Sequence, residues 1–172
     1  MATVKQVLKA KSDDMVHTID VEASVFDAVV LMSKAGVGAV VVTVGGRADG
    51  TVCGIVTERD YARKVILQDK ASRNTTVCEI MSAPVLSVSL RTSTDECMAL
   101  MTTRHVRHLP VIECGRLMGI VSIGDMVRQL IDEQQFAIEQ LETYVRGTSE
   151  EMPACALTRR SPVPQTLALR FA

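Results

Sequence analysis

Between residues 18 and 57 the spacing of apolar positions changes three times. Thr18–Val21 alternates as a short strand does, and Val25, Ala28, Val29 and Met32 then recur at helical spacing. The run VGAVVVTV that follows is β-branched and strand-sized, and after the turn VGGRADG comes CGIV, a further strand. Punctuation agrees with these periods. Ser24 with Asp27 three residues on is a capping-box start for the helix, and Gly36 is a left-handed stop. A closing helix is predicted over Glu58–Gln68.

The same grammar returns from residue 87. A strand is predicted around Ser87–Leu90, a helix start at Ser93 with Glu96, strand-like VRHLPVI, the turn ECGR, the strand MGIV and a helix from Asp125. Sliding the chain on itself by 69 residues lays IDVEASVFDAVVLM (Ile19–Met32) over VSLRTSTDECMALM (Val88–Met101), and a shift of 65 lays GIVTERD over GIVSIGD. The chain therefore reads as an α/β fold of the α+β type: two pseudo-twofold-related β-α-β-β-α repeats packed through their sheets. The repeats are placed at 1–70, including an N-terminal helix, and 71–132, with a helical extension over 133–147 and a flexible tail over 148–172. In the last helix Val127, Ile131, Ile138, Leu141 and Val145 keep heptad spacing with Gln134 polar in the seam, which fits either packing on the chain's own sheet or a helix–helix dimer seam. Gly147 is expected to end it.

Composition narrows the function. Of 172 residues 47% are hydrophobic and 23% charged, as in a globular protein with a real core, and the net charge is −1 with both signs interspersed. That balance lacks the basic field that phosphate-backbone binding requires, and 3% aromatic residues without Trp remove the stacking platforms of single-strand binders, so no nucleic-acid partner is expected. Five cysteines stand singly, pointing to reduced thiols in a cytoplasm, and no apolar stretch is long enough to span a membrane. Nucleophile elbow, HExxH, P-loop and GxGxxG are missing, and the HxxH formed by His105 and His108 lacks an obvious third ligand, so neither an enzyme nor a metal site is expected.

The doubled turn carries the candidate chemistry. Thr57-x-x-Asp60 and Ser122-x-x-Asp125 both match [ST]-x-x-[DE], which by itself caps a helix N-terminus. An arginine follows each one turn later, Arg63 and Arg128, with Arg59 and Lys64 also near the first. A helix N-terminus with arginine suits phosphate, and an aspartate suits ribose hydroxyls. The two repeats in register, both closing on G-h-h-[ST]-x-x-D, and RHLPV (Arg107–Val111) in the second, resemble a tandem pair of cystathionine β-synthase (CBS) domains, a Bateman module, over residues 1–147. ERDYARKVI with the terminal QQFAIEQLETYVRG resembles small stand-alone bacterial members. This resemblance implies a sensor with no catalytic cofactor that binds AMP, ADP, ATP or NAD, or S-adenosylmethionine, between the repeats, forms a homodimer and signals to a regulated protein. It marks Thr57 and Asp60 in one cleft, Ser122 and Asp125 in the other, and Ile19 and Val88 as matching first-strand positions; Arg63, Arg128, Arg107 and His108 join them on charge and location. A ligand-free scaffold acting through its dimer surface and last helix is the competing reading.

Overall fold

The computed structural model describes residues 2–11 and 16–150, with side chains to Val145. Its elements follow the repeat: helix α1 (Val4–Ala10), strand β1 (Thr18–Asp20), α2 (Val25–Ala35), β2 (Ala39–Thr43), β3 (Val52–Thr57), α3 (Glu58–Lys64), α4 (Val77–Ile80), α5 (Thr94–Arg104), β4 (His108–Glu113), β5 (Arg116–Ser122) and α6 (Ile123–Glu150). Residues 1–134 form one compact unit.

The first sheet has the order β1-β2-β3, with β2 parallel to β1 and antiparallel to β3. All five residues of β2 are buried, as its unbroken β-branched pattern requires of a central strand. α2 starts as expected, with the Ser24 hydroxyl accepting from the Asp27 amide at 3.1 Å, and stops at Gly36 with φ of 65°. Its equivalent α5 starts at Ser93 in the same way, but stops at His105, which takes a φ of 55° without the freedom of glycine.

The second sheet departs from expectation. The strand predicted around Ser87–Leu90 contracts to a single parallel bridge, Val88 to Val111, and the sheet proper is the antiparallel pair β4-β5. Side chains take the place of the ladder: the Ser89 amide donates to Thr92 Oγ1 at 3.1 Å and the Leu90 amide to Glu113 Oε2 at 3.1 Å. The helix expected over Glu58–Gln68 also splits. It ends at Lys64, Val65 follows as its C-cap with its side chain fully buried, and a 3₁₀ turn covers Ile66–Gln68.

The two cores are assembled by exchange. Val4 and Val7 of α1 are buried with Val88, Cys97, Met101, Leu109, Val111, Val121 and Met126, so the N-terminal helix assigned to the first repeat packs in the core of the second. Val77 and Ile80 of α4, at the head of the second repeat, are buried in the first core with Ile19, Val25, Ala28, Met32, Val40 and Val42. Backbone hydrogen bonds fix each exchange: Val4 N to Thr92 O at 2.9 Å and Lys5 N to Leu90 O at 3.0 Å on one side, Val77 N to Ala23 O at 2.9 Å and Cys78 N to Val21 O at 3.1 Å on the other. Two strand glycines receive the exchanged helices. A β-carbon on Gly54 would lie 2.7 Å from Met81 Sδ, and one on Gly119 would lie 2.8 Å from Leu8 Cδ2.

Met126 is the residue that anchors the last helix in the second core. The heptad residues Val127, Ile131, Ile138, Leu141 and Val145 are all exposed. Gly147 does not end the helix, which continues to Glu150, past the boundary expected at 147; the rest of the expected tail, from 151 on, lies outside the described residues.

Candidate functional site

Both doubled motifs cap their helices. The Thr57 hydroxyl accepts from the Asp60 amide at 3.2 Å, while Asp60 Oδ2 accepts from the Thr57 amide at 3.1 Å and from its hydroxyl at 2.7 Å. In the second copy the distances are 3.2 Å for the Asp125 amide on Ser122 Oγ, then 2.7 Å and 2.8 Å for the Ser122 amide and hydroxyl on Asp125 Oδ2. The capping reading of the sequence therefore holds for both. A lysine completes each carboxylate: Lys64 Nζ lies 2.9 Å from Asp60 Oδ1, and Lys11 Nζ lies 2.8 Å from Asp125 Oδ2. Each lysine also donates to a backbone carbonyl, Lys64 to Ile80 at 2.6 Å and Lys11 to Ile120 at 2.9 Å. Burial opposes the charge of Asp125, but the Lys11 and Ser122 hydrogen bonds outweigh it and hold its carboxyl below the usual aspartate value.

Each motif opens on a cleft that takes walls from both repeats. The Asp60 cleft, of about 380 Å³, joins Thr57, Glu58, Arg59, Asp60 and Arg63 to Arg104, His105, Val106, Arg107 and His108, with Gly38 and Ile55 as small apolar ground and Ser82 at the edge. The Asp125 cleft, of about 320 Å³, joins Asp125 and Arg128 to Lys11, Val16, His17 and the strip Ala35, Gly36, Val37 and Ala39, with Met118 and Ile120. The backbone joint is repeated too: the Glu58 amide donates to the Gly38 carbonyl at 3.2 Å, and the Ile123 amide to the Arg107 carbonyl at 2.9 Å.

A repeat shift of 69 residues maps Ala35–Ala39 onto Arg104–His108, so the same structural strip is apolar in one cleft and basic in the other. His108 stands where the two meet. Its Cε1 is 3.7 Å from the place a β-carbon on Gly38 would occupy, burial pushes its imidazole pKa down, and Arg107 and Lys11 reinforce this against Asp125 and Glu58. Among the described residues no group of three or more His, Cys, Asp or Glu side chains is placed to hold a metal ion.

Most of the residues singled out in the sequence come together here. Thr57, Asp60, Arg63, Arg107 and His108 line the first cleft, and Asp125 and Arg128 the second, with Ser122 behind Asp125 as its hydrogen-bond partner. Ile19 and Val88 do not: both are buried in the cores and line neither cleft, because alternate residues of a strand point to opposite faces and theirs is the inward one. Four site residues escaped the sequence reading. Ser82, whose hydroxyl is 3.4 Å from Asp60 Oδ1, and Lys11 arrive on segments that follow the exchanged helices, and Arg104 and His17 cross from the opposite repeat. A local signal existed for the first two: TVKQVL (residues 3–8) and TVCEIM (residues 76–81) are a further repeated pair.

Comparison with known proteins matches this architecture. The CBS domain family model matches the chain twice, over residues 4–66 and 77–132. The mitochondrial CBS domain-containing protein CBSX3 of Arabidopsis thaliana is 37% identical over 150 residues, covering 84% of this chain and 72% of the relative. The CBS domain-containing protein YhcV of Bacillus subtilis is 30% identical over 134 residues, covering 77% and 89% respectively. Among solved structures, a protein with CBS domains from Burkholderia ambifaria superposes with a TM-score of 0.72 at 50% identity, covering 77% of this chain and 96% of that one. A CBS-domain protein from Agrobacterium tumefaciens gives a TM-score of 0.67 at 41% identity, covering 74% and 93%. On the double match, the relatives and the shared architecture, this chain belongs to the CBS-domain family, as a tandem pair of CBS repeats.

Proposed function

We propose that this CBS pair is a regulatory module that binds an adenosyl ligand, AMP, ADP, ATP or NAD, in the clefts between its repeats, with no chemistry of its own. Occupancy changes the shape that the protein, as a cytoplasmic homodimer, presents to a partner protein. The observation that carries this reading is the pairing of two clefts, each holding a capped aspartate, an arginine one turn on and a wall from the opposite repeat. Aspartate Oδ atoms at the cleft edge suit ribose hydroxyls, arginine suits phosphate, and Ile55 with Val106, or Val37 with Ile120, suits a base. The ligand shifts the protein's shape only as far as it prefers one shape over the other.

Thermal unfolding with millimolar AMP, ADP, ATP, NAD or S-adenosylmethionine tests it. A ligand at 100 times its dissociation constant adds about 2.7 kcal/mol, a shift of several degrees. Asp60→Ala and Asp125→Ala lower stability through the lost caps, so the ligand-dependent increment is the quantity compared: one substitution abolishes it if that cleft is the working one. No increment with any ligand refutes the proposal. The exposed seam of Val127, Ile131, Ile138 and Leu141 favours a second reading, a scaffold acting through α6 and a dimer surface. A scaffold keeps its partner binding when both aspartates are replaced.

A further inference from the structure

We infer that the two clefts select different ligands: the Asp60 cleft takes a chain of two or more linked phosphates, and the Asp125 cleft takes a ligand with one phosphate or none. This deepens the reading of the clefts as nucleotide sites and rests on it for the adenosyl part alone.

The charge in the two clefts differs in kind. Arg59 and Arg63 from α3, Arg104 at the end of α5 and Arg107 just before β4 converge on the Asp60 cleft. Two carboxylates face them, Glu58 and Asp60, and Asp60 is already neutralised by Lys64 at 2.9 Å. None of the four arginines forms an ion pair with a described residue. Solvated surface arginines usually spread apart on a convex face, whereas these four come from both repeats into one concavity, where their mutual repulsion is relieved by a polyanion. Guanidinium groups grip phosphate oxygens in pairs, so several of them in a row suit several phosphates in a row. Beside it lies a second, shallower and mainly apolar hollow of about 450 Å³ that shares Arg59, Arg63, His105, Val106 and Arg107 with the cleft.

In the Asp125 cleft the equivalent strip is Ala35–Ala39, which brings no charge. Lys11 there pairs with Asp125 at 2.8 Å, as Lys64 pairs with Asp60 in the other cleft, so the two pairs offset each other and Arg128 is the remaining lining cation among the described residues. One arginine suits a single phosphate. The inequality is thus written in two repeat-equivalent segments, RHVRH in one copy and AGVGA in the other.

Calorimetric titration of the full chain with AMP, ADP, ATP and inorganic tripolyphosphate tests the inference, with Arg104→Ala/Arg107→Ala and Arg128→Ala as variants. All three arginines are exposed, so folding is not at stake. With the Asp125 cleft disabled by Arg128→Ala, ATP is expected to bind at least about tenfold more tightly than AMP, since each extra charge-assisted contact is worth roughly that factor. The double variant should cost ATP that factor and leave AMP binding unchanged, whereas Arg128→Ala should weaken AMP and leave ATP binding unchanged. Tripolyphosphate should compete with ATP on the natural chain and fail to bind the double variant. AMP binding as tightly as ATP in the Arg128→Ala chain, or ATP binding that survives in the double variant, overturns the inference while leaving the adenosyl reading intact. Tripolyphosphate binding that depends on Arg104 and Arg107, with no response to any adenosyl ligand, upholds the inference and overturns that reading. No response to ATP or tripolyphosphate overturns the inference.

Discussion

Gly54→Ala probes the exchange that builds the cores. The added methyl would sit 2.7 Å from Met81 Sδ, 3.1 Å from Met81 Cγ and 3.0 Å from the Ser82 carbonyl oxygen. Met81 can rotate, but the carbonyl cannot retreat, because it accepts from the Ile55 amide at 3.2 Å while the Ser82 amide donates back to Ile55 O at 2.8 Å. Relief therefore has to separate α4 from β3. Overpacking of this kind costs about 1–3 kcal/mol, and replacing a strand glycine returns about 0.5–1 kcal/mol of unfolded-state entropy, for a net loss of up to about 2.5 kcal/mol. At about 2–4 °C per kcal/mol for a chain of this size the midpoint falls by several degrees. Gly119→Ala is the internal control: its near contacts are the Leu8 methyls, at 2.8 Å and 3.1 Å, which a rotamer change can move, so its net loss should stay within about 1 kcal/mol. Urea unfolding followed by circular dichroism, with the denaturant slope checked for constancy, measures both. Gly54→Ala no less stable than Gly119→Ala would refute the claim that the returning backbone, and not the flexible side chain, sets the limit.

Four further outcomes are expected. Thr57→Ala and Ser122→Ala should each cost about 0.5–2 kcal/mol in the same denaturation assay, because each hydroxyl accepts from the aspartate amide at 3.2 Å, whereas Thr57→Ser should be nearly silent. Gly36→Ala should cost about 1 kcal/mol although nothing lies within 4 Å of the new methyl, and His105→Gly at the equivalent left-handed stop should recover a few tenths of that in thermal unfolding. Thr43→Val should leave stability unchanged or raise it by about 1 kcal/mol, since Thr43 Oγ1 is buried with no hydrogen-bond partner among the described residues; a loss in urea midpoint would show that the hydroxyl has one. Asp125→Asn should destabilise at neutral pH and progressively less in acid. The folded chain holds the Asp125 pKa below its unfolded value, so its contribution is complete above the ordinary aspartate range and disappears as the pH falls through the lowered value. Urea midpoints of the two proteins that stay equally far apart down to pH 2 would contradict this.

Periodicity made the local elements legible because their causes are local. Ser24 and Ser93 cap helices through residues three away, Gly36 stops one through its own φ, and a short run rich in β-branched residues between two glycine-bearing turns fits a buried strand. The aspartate motifs were legible for the same reason, since hydroxyl, carboxylate and the i+4 lysine of the first copy lie within one stretch of eight residues, Thr57–Lys64. What stayed hidden depends on distance along the chain. Ile19 and Val88 matched each other in the repeat, yet a match in sequence does not say which face of a strand a residue takes, and here it is the core. No window includes both Lys11 and Asp125, and the contraction of the Ser87–Leu90 strand was decided by Glu113 reaching the Leu90 amide from 23 residues away.

The exchange also ties the clefts to the cores. α1 packs Leu8 against Gly119 and, one turn later, delivers Lys11 to Asp125; α4 packs into the first core and leads through Met81, against Gly54, to Ser82 beside Asp60. A ligand whose ribose takes over a carboxylate must displace Lys11 in one cleft, or compete with Lys64 and Ser82 in the other. Released Lys11 also loses the Ile120 carbonyl on β5, and Ser82 is fixed by two backbone hydrogen bonds to Ile55 on β3. Lys11 stands on a segment that leaves a helix, so its release loosens the hold of that segment on β5. Ser82 is held by backbone, so the first cleft can change its side-chain contacts without moving α4. Under the proposed function the Asp125 cleft is thus the one whose occupancy is transmitted to the packing of α1, and the basic Asp60 cleft binds without comparable movement. Hydrogen exchange at the amides of Val4 and Lys5, which donate to Thr92 and Leu90, separates the two: it should rise when the Asp125 cleft is filled, and unchanged protection at saturating ligand would refute the coupling.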